Sequence, residues 1–333
     1  MIRRLTPDVI KKYDDIIAEQ RRRDFIEEVN EDDTSIGHYL PHIAVKRDSA
    51  TTPIRIVYDC SCSQGASFPS LNDCLQTGPS LINDLPSILL QFRSNNIALT
   101  SDIEKAFLNV RLEEDERKFT KFLWLLDASD PEGKFITLQF KTVLFGAVCS
   151  PFILNAVIKT HLDANNTLST AKILKNNIYV DNVIDGVDTT ENAIKYYKEA
   201  NKLMTTSGFK LRAWSSNCEQ LNELSKRDNL NEPAETVSVL GMRWSTKSDK
   251  LTYPKVNNVP LLTDLITKRD VVSFTSALYD PIGYLTPVHV KARLFIQLLW
   301  KLELGWDEPL NSDLCSMWMH IAEDLNGARS LFE

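Results

Sequence analysis

The chain has 333 residues, 43% of them hydrophobic and 25% charged, with a net charge of −7. That length supplies core for two or three subdomains, and the composition is that of an ordinary soluble globular protein. No apolar run approaches the length of a membrane span, and Met1 to Val9 lacks a signal-peptide pattern, so an intracellular protein with no membrane partner is expected.

Six cysteines (Cys60, Cys62, Cys74, Cys149, Cys218 and Cys315) include no Cys-x-x-Cys pair, which argues for isolated buried thiols over zinc ligation. The acidic balance counts against a phosphate-rich partner. Its weight is reduced by basic clusters at Arg3-Arg4, Lys11-Lys12, Arg21-Arg22-Arg23 and Lys46-Arg47. Charge alone does not separate a nucleic-acid groove from solvated faces.

In chain order, residues 7–29 read as a charged helix, with Ile10, Tyr13, Ile16, Ile17 and Phe25 at helical spacing. Strands follow at 42–45 and 54–58 and a helix at 81–92. Residues 97–101 form a β-prone run ending at Asp102, and a helical turn spans 104–110. Residues 119–126 and 135–143 make a hairpin across Asp130-Pro131-Glu132-Gly133. Ser150-Pro151 opens a helix, with the serine as cap. Short strands at 178–180 and 183–184 flank Asp181-Asn182. A capping box of Asp188 and Glu191 starts a helix that stops at Gly208. Residues 209–214 read as a strand, and 237–244 with 250–253 as a hairpin. From Val271 onward the chain is mostly helical, with Thr286-Pro287 repeating the cap-plus-proline start. Mixed strands and helices followed by a helical end predict an α+β fold.

Two carboxylates stand where chemistry is expected: Asp102 at a strand end and Asp181 at the tip of a tight hairpin. Strand ends of one sheet can bring such groups together, and Mg²⁺ prefers oxygen ligands of this kind. Each has a plainer reading as well. Asp-Asn suits a two-residue turn because both tolerate positive φ, and Asp102 suits a helix cap.

The surrounding words carry a resemblance. Tyr179-Val180-Asp181-Asn182 resembles the Tyr-x-Asp-Asp box of reverse transcriptases, and 101–107 (Ser-Asp-Ile-Glu-Lys-Ala-Phe) resembles their first palm motif. Residues 145–152 look like the palm-helix motif and 55–59 like the fingers segment that meets the incoming nucleotide. The order of all four agrees. Tyr39-Leu40-Pro41-His42, Ser70-Leu71-Asn72-Asp73, Leu211-Arg212-Ala213-Trp214, residues 239–244, Asp280-Pro281-Ile282-Gly283 and residues 302–307 are similar to Pao/BEL retroelement polyproteins, across nearly the whole chain.

The resemblance implies a right-hand polymerase: an N-terminal helical extension at 1–36, fingers at 37–96 and 118–148, palm at 97–117 and 149–254, and thumb or connection at 255–333. It implies RNA-directed DNA synthesis on an RNA/DNA template–primer from deoxynucleotides, with two Mg²⁺ ions, or Mn²⁺ in their place. Asp102 and Asp181 would hold the metals, with Asn182 completing the catalytic set. Lys46 or Arg47, with Arg55, would hold the triphosphate. Phe107 would lie under the sugar and exclude a 2′-hydroxyl, Gly146 would allow close approach, and Leu240-Gly241-Met242 would grip the primer end. No protease box is present, and the length beyond the thumb is too short for ribonuclease H or integrase.

Two departures stand out. Asn182 replaces the second Asp of the box, and Ala213 replaces the lysine that family members usually carry there as a proton donor to pyrophosphate. On a regular strand Lys210 and Arg212 would face opposite to Ala213. These departures motivate an alternative, a catalytically weakened or inactive remnant that keeps the fold and nucleic-acid binding. A metal-dependent nuclease fits the carboxylates but not Phe107, Arg55 and the Gly146 segment together.

Overall fold

The computed structural model describes residues 5–29, 37–46, 54–65, 67–254 and 265–330. Arg3, Arg4 and Arg47 lie outside them. The chain divides into two compact units, one of Met1–Ile82, Asp102–Asn182 and Lys198–Leu211, the other of Asn83–Ser101, Val183–Tyr197 and Arg212–Glu333.

In the first unit, helix α1 (Pro7–Arg22) has proline in its first turn, Asp8 near its start and Arg21 and Arg22 near its end. All three favour a helix there, by fixed φ and by charge against the helix dipole. Ile10, Tyr13 and Ile17 form its buried stripe. The helix ends before the span of 7–29 suggested by periodicity alone: residues 26–28 form strand β1 (Ile26–Glu28) instead. Asp24, with φ of 60°, makes the break between them.

Strands β2 (His42–Lys46) and β3 (Ile54–Tyr58) pair antiparallel with His42 opposite Tyr58. Helix α2 (Leu71–Cys74) is closed by a Ser70–Asp73 capping box. A 3-10 turn (Ala106–Asn109) and the short helix α4 (Glu114–Arg117) come later in this unit. Strands β5 (Lys121–Leu125) and β6 (Phe135–Phe140) pair as the expected hairpin, and β1 adds to β6 to give the order β1-β6-β5. Tyr13 stacks on Trp124 with ring centroids 4.3 Å apart, and Phe122, Phe140 and Tyr58 close the core around them. His42 is buried in it, donating from Nε2 to the Leu123 carbonyl (2.9 Å) and accepting at Nδ1 from the Tyr13 hydroxyl.

Helices α5 (Ser150–Ala164) and α6 (Ser169–Asn177) follow. Ser150 does not cap α5: its hydroxyl donates to the Leu144 carbonyl (2.7 Å), and the N-cap position is Cys149. Thr286 likewise lies inside its helix, after Leu285. In both, the proline sits one residue further in than a serine or threonine cap would put it.

A four-stranded sheet has the order β7-β8-β4-β9, formed by β7 (Ile178–Tyr179), β8 (Asn182–Val187), β4 (Ile97–Ile103) and β9 (Leu211–Ser216). Helix α7 (Thr190–Thr206) starts from Thr189, whose hydroxyl accepts from the Asn192 amide (3.3 Å), one residue after the Asp188 expected as cap. It stops at Gly208 (φ 82°), with the Phe209 amide returning to the Met204 carbonyl, as a glycine stop requires. Ala213 has φ of 53°, so β9 is not regular and simple alternation does not assign the faces of Arg212 and Ala213.

In the second unit, α3 (Leu85–Ser94) is capped by Asp84. Helix α8 (Glu219–Arg227) precedes a three-stranded sheet of β10 (Thr236–Val239), β11 (Met242–Ser245) and β12 (Lys250–Thr252). The run 237–244 is therefore two strands, turned at Leu240 (φ 47°) and Gly241 (φ 86°). Positive φ at both central residues is the two-residue turn that matches strand twist. Helices α9 (Lys268–Ala277), α10 (Thr286–Lys301) and α11 (Ser312–Ser330) pack around Phe274, Phe295, Leu299 and Trp318. All six cysteines are free thiols; Cys60 and Cys218 are buried, while Cys74 is exposed. No helix among the described residues is long and apolar enough to cross a membrane.

Candidate nucleotidyl-transfer site

Asp102 is the penultimate residue of β4, where an apolar strand emerges half-buried from the sheet. The amide of the next residue, Ile103, donates to the carbonyl of Asp181 (2.8 Å). The two segments that sequence kept far apart are thus bonded backbone to backbone, one residue from one aspartate and at the other.

The turn carrying Asp181 has its positive φ at Val180 (56°), not at Asp181 or Asn182. A β-branched residue in the left-handed region is strained, at a cost on the order of 1–3 kcal/mol. The tight-turn reading of Asp-Asn therefore gives no account of why those two residues stand there. Asp181 is half-buried, and loss of hydration pushes its carboxyl above the ordinary aspartate value. Backbone hydrogen bonding, the charge of Arg55 and the amide of Asn182 pull the other way. That amide donates from Nδ2 to Asp181 Oδ1 at 3.0 Å. Among the described residues no group of three or more Asp, Glu, His or Cys gathers as a metal cluster.

Arg55 lies on β3 with its guanidinium over the ring of Phe145, 4.9 Å from the centroid. Phe145 in turn meets Phe107 edge to face at 4.5 Å. Arg55, Phe145 and Phe107 make a continuous chain of contacts, in which Phe107 is buried and Phe145 is 40% exposed. Gly146, with φ of 104°, follows directly. A Cβ there would stand 2.9 Å from the Tyr58 carbonyl oxygen, so the protein's own backbone already demands glycine. Asn72 secures the loop, donating to the Gly146 carbonyl (3.0 Å) and accepting from the Val148 amide (3.0 Å).

The structure thus brings Asp102, Asp181, Asn182, Arg55, Phe107 and Gly146 into one unit. Lys46 ends β2, and Arg47 lies outside the described residues. Leu240, Gly241 and Met242 form the β10–β11 turn of the second unit, where a Cβ on Gly241 would meet the Tyr279 ring at 2.6 Å. Lys210 Nζ lies 3.9 Å from Glu104. Arg21 and Arg23, from the basic N-terminal cluster, are engaged by Glu28 and Glu104. Sequence reasoning gave no role to Phe145 or Asn72. Both stood inside quoted motifs, and an aromatic before a glycine and an Asn in a capped turn were the available signals.

A family model for "Reverse transcriptase (RNA-dependent DNA polymerase)" matches residues 55–243, more than half of the chain, and the chain belongs to that family. A second, for "Pao retrotransposon-like RNaseH-like domain", matches residues 267–332, which places the chain in the Pao/BEL-type lineage of retrotransposon polyproteins. The second match corrects the length argument against a ribonuclease H-like segment; the described residues of that region form helices α9 to α11 and no strand.

Among solved structures, the foamy viral protease–reverse transcriptase dRH in complex with ds DNA superposes with a TM-score of 0.63 at 14% identity, covering 95% of this chain and 48% of that one. The foamy viral protease–reverse transcriptase in complex with RNA/DNA hybrid gives 0.63 at 13%, covering 97% and 37%. At such identity the likeness is one of fold, an α+β architecture related to the retroviral enzyme. The chain spans about half or less of those two proteins' length. No curated protein matches the chain.

Proposed function

We propose that this chain is a reverse transcriptase domain that binds an RNA/DNA template–primer and deoxynucleotides but carries a weakened nucleotidyl-transfer centre. The observation that carries it is the Asn182 amide on Asp181 Oδ1, at 3.0 Å, where the family's box has a second carboxylate. In this reading β4 and β7 to β9 with α5 to α7 are the palm, β2, β3, β5 and β6 the fingers, residues 1–36 an N-terminal extension and residues 255–333 the thumb or connection.

The donor chemistry fits the divalent ions that this family uses. Asp102 and Asp181 offer carboxylate oxygens and Asn182 a carbonyl oxygen, the ligand types that Mg²⁺ and Mn²⁺ take. Asp181 is half-buried with a raised pKa, a carboxylate whose ionised form gains from a nearby cation. Asp102 and Asp181 would hold the ions. The chemistry such ions would supply there is activation of the primer hydroxyl and neutralisation of the leaving pyrophosphate. Arg55, its planar cation backed by Phe145, and Lys46 or Arg47 would hold the triphosphate. Phe107, locked by Phe145, would set the floor beneath the sugar and exclude a 2′-hydroxyl. Leu240-Gly241-Met242 would hold the primer end.

Primer extension on an RNA template with Mg²⁺ or Mn²⁺, alongside hybrid binding, tests this. Expected are binding at low salt and slow extension above an Asp102→Ala control. Binding with no extension leaves a non-catalytic family member, and absence of both overturns the proposal. Metal-dependent cleavage without nucleotides favours a nuclease instead.

A further inference from the structure

The segment before the family match, which begins at residue 55, holds the residues around Asp102 through side chains that no known role covers. Several contacts converge. Glu19 on α1 binds Lys105 Nζ at 2.6 Å, and Arg23 binds Glu104 at 2.9 Å while lying 3.7 Å from Glu19. Both cations also face the ring of Phe25, Arg23 at 4.9 Å and Lys105 at 5.8 Å. Asp24 takes Arg111 at 2.8 Å and Lys141 at 2.7 Å, with its carbonyl accepting a further bond from Arg111 (2.6 Å). Phe25 accepts from the Lys141 amide (2.9 Å), and β1 then adds to β6.

Of these, the contacts that leave residues 19–28 end on 104–111 or on 138–141. The first stretch links Asp102 to Phe107 and the second leads into Phe145 and Gly146. Glu104 and Lys105 are the last two of the three residues between Asp102 and the 3-10 turn that presents Phe107, and Lys105 has φ of 49°, a conformation that non-glycine residues seldom adopt. Asn109 Nδ2 closes the same loop on the Glu104 carbonyl at 2.8 Å.

We infer that residues 19–28 are a strap that sets the position of Phe107 relative to Asp102, with Glu19 and Arg23 as positioning residues. The functional half of this inference rests on the polymerase reading above. The structural half does not. Ion pairs of this exposure add little to global stability, so their removal leaves a folded protein.

The test compares wild type with Glu19→Gln/Arg23→Gln, with Glu19→Gln alone as the milder variant and Arg23→Lys as the conservative one. Amide hydrogen exchange across 104–110 should quicken about two- to fivefold per pair removed, the factor that an exposed ion pair represents. Exchange in β5 and the melting temperature should stay unchanged, and Arg23→Lys should return most of the protection. If 104–110 exchanges as in wild type, or every segment loosens alike, the strap is refuted. Where wild type extends primers, the double variant should also lose discrimination between deoxynucleotides and ribonucleotides by a few-fold, and unchanged discrimination refutes positioning of Phe107. Where wild type extends nothing, the polymerase reading fails and exchange alone decides the strap.

Discussion

Asn182→Asp tests the claim that a missing charge limits the chemistry. In the present structure the Asn182 amide is a donor to Asp181 Oδ1 at 3.0 Å. The aspartate removes that donor and sets two carboxylates side by side. At an effective dielectric near 20, unit charges about 4 Å apart interact by roughly 4 kcal/mol. Without metal this is repulsion, added to the loss of a charge-assisted bond worth about 1.5–3 kcal/mol. The pair relieves part of it by binding a proton, since Asp181 already titrates above the ordinary range. In chelator the variant should therefore melt several degrees below wild type. With divalent ions the sign reverses, because the same charge now faces cations. A third of that interaction realised in the transition state is about 1.3 kcal/mol, close to tenfold in rate. Single-nucleotide incorporation across a Mg²⁺ titration, paired with melts in chelator and in Mg²⁺, reads both. A variant that melts lower in chelator, as required, yet shows neither faster incorporation nor stronger dependence on metal refutes the reasoning.

Three further outcomes are expected. Gly146→Ala forces a Cβ to 2.9 Å from the Tyr58 carbonyl at a φ of 104°, and should cost on the order of 1–3 kcal/mol in denaturant unfolding. Asn72→Ala removes both bonds that hold the Gly146 loop and should cost about 1–2 kcal/mol, with a KM for deoxynucleotide that rises more than kcat falls. His42 is pushed below its ordinary value of 6.5 by burial, so the fold binds fewer protons than the unfolded chain between that depressed value and 6.5. Its contribution is full above 6.5 and is lost as pH falls through the window below. Chemical denaturation stepped from about pH 7.5 to about pH 5 should show the loss, and His42→Gln should flatten it to the part due to His289, which burial depresses likewise.

Much of this protein was legible because local physics wrote it. The buried stripe of α1, the β5–β6 hairpin across Asp130 to Gly133 and the glycine stop after α7 each follow from periodicity or turn chemistry within one stretch. The family was legible for a different reason: four motifs in order outweigh any one of them. What sequence misplaced is equally local in cause. Thr189 rather than Asp188 caps α7, and Val180 rather than Asp181 or Asn182 takes the positive φ, because tertiary contacts can hold a residue where its own preference would not.

Sequence by itself determined the α+β class, the chemistry of the donor oxygens and the missing charge at position 182, since each is a property of residue type. Only tertiary structure decided that the peptide after Asp102 bonds to Asp181, that Phe145 joins Arg55 to Phe107, and that Glu19 and Arg23 grip the residues between Asp102 and Phe107. The ion pairs from Glu19 to Lys105 and from Arg23 to Glu104 span 86 and 81 residues, and no local preference encodes a contact across such a distance.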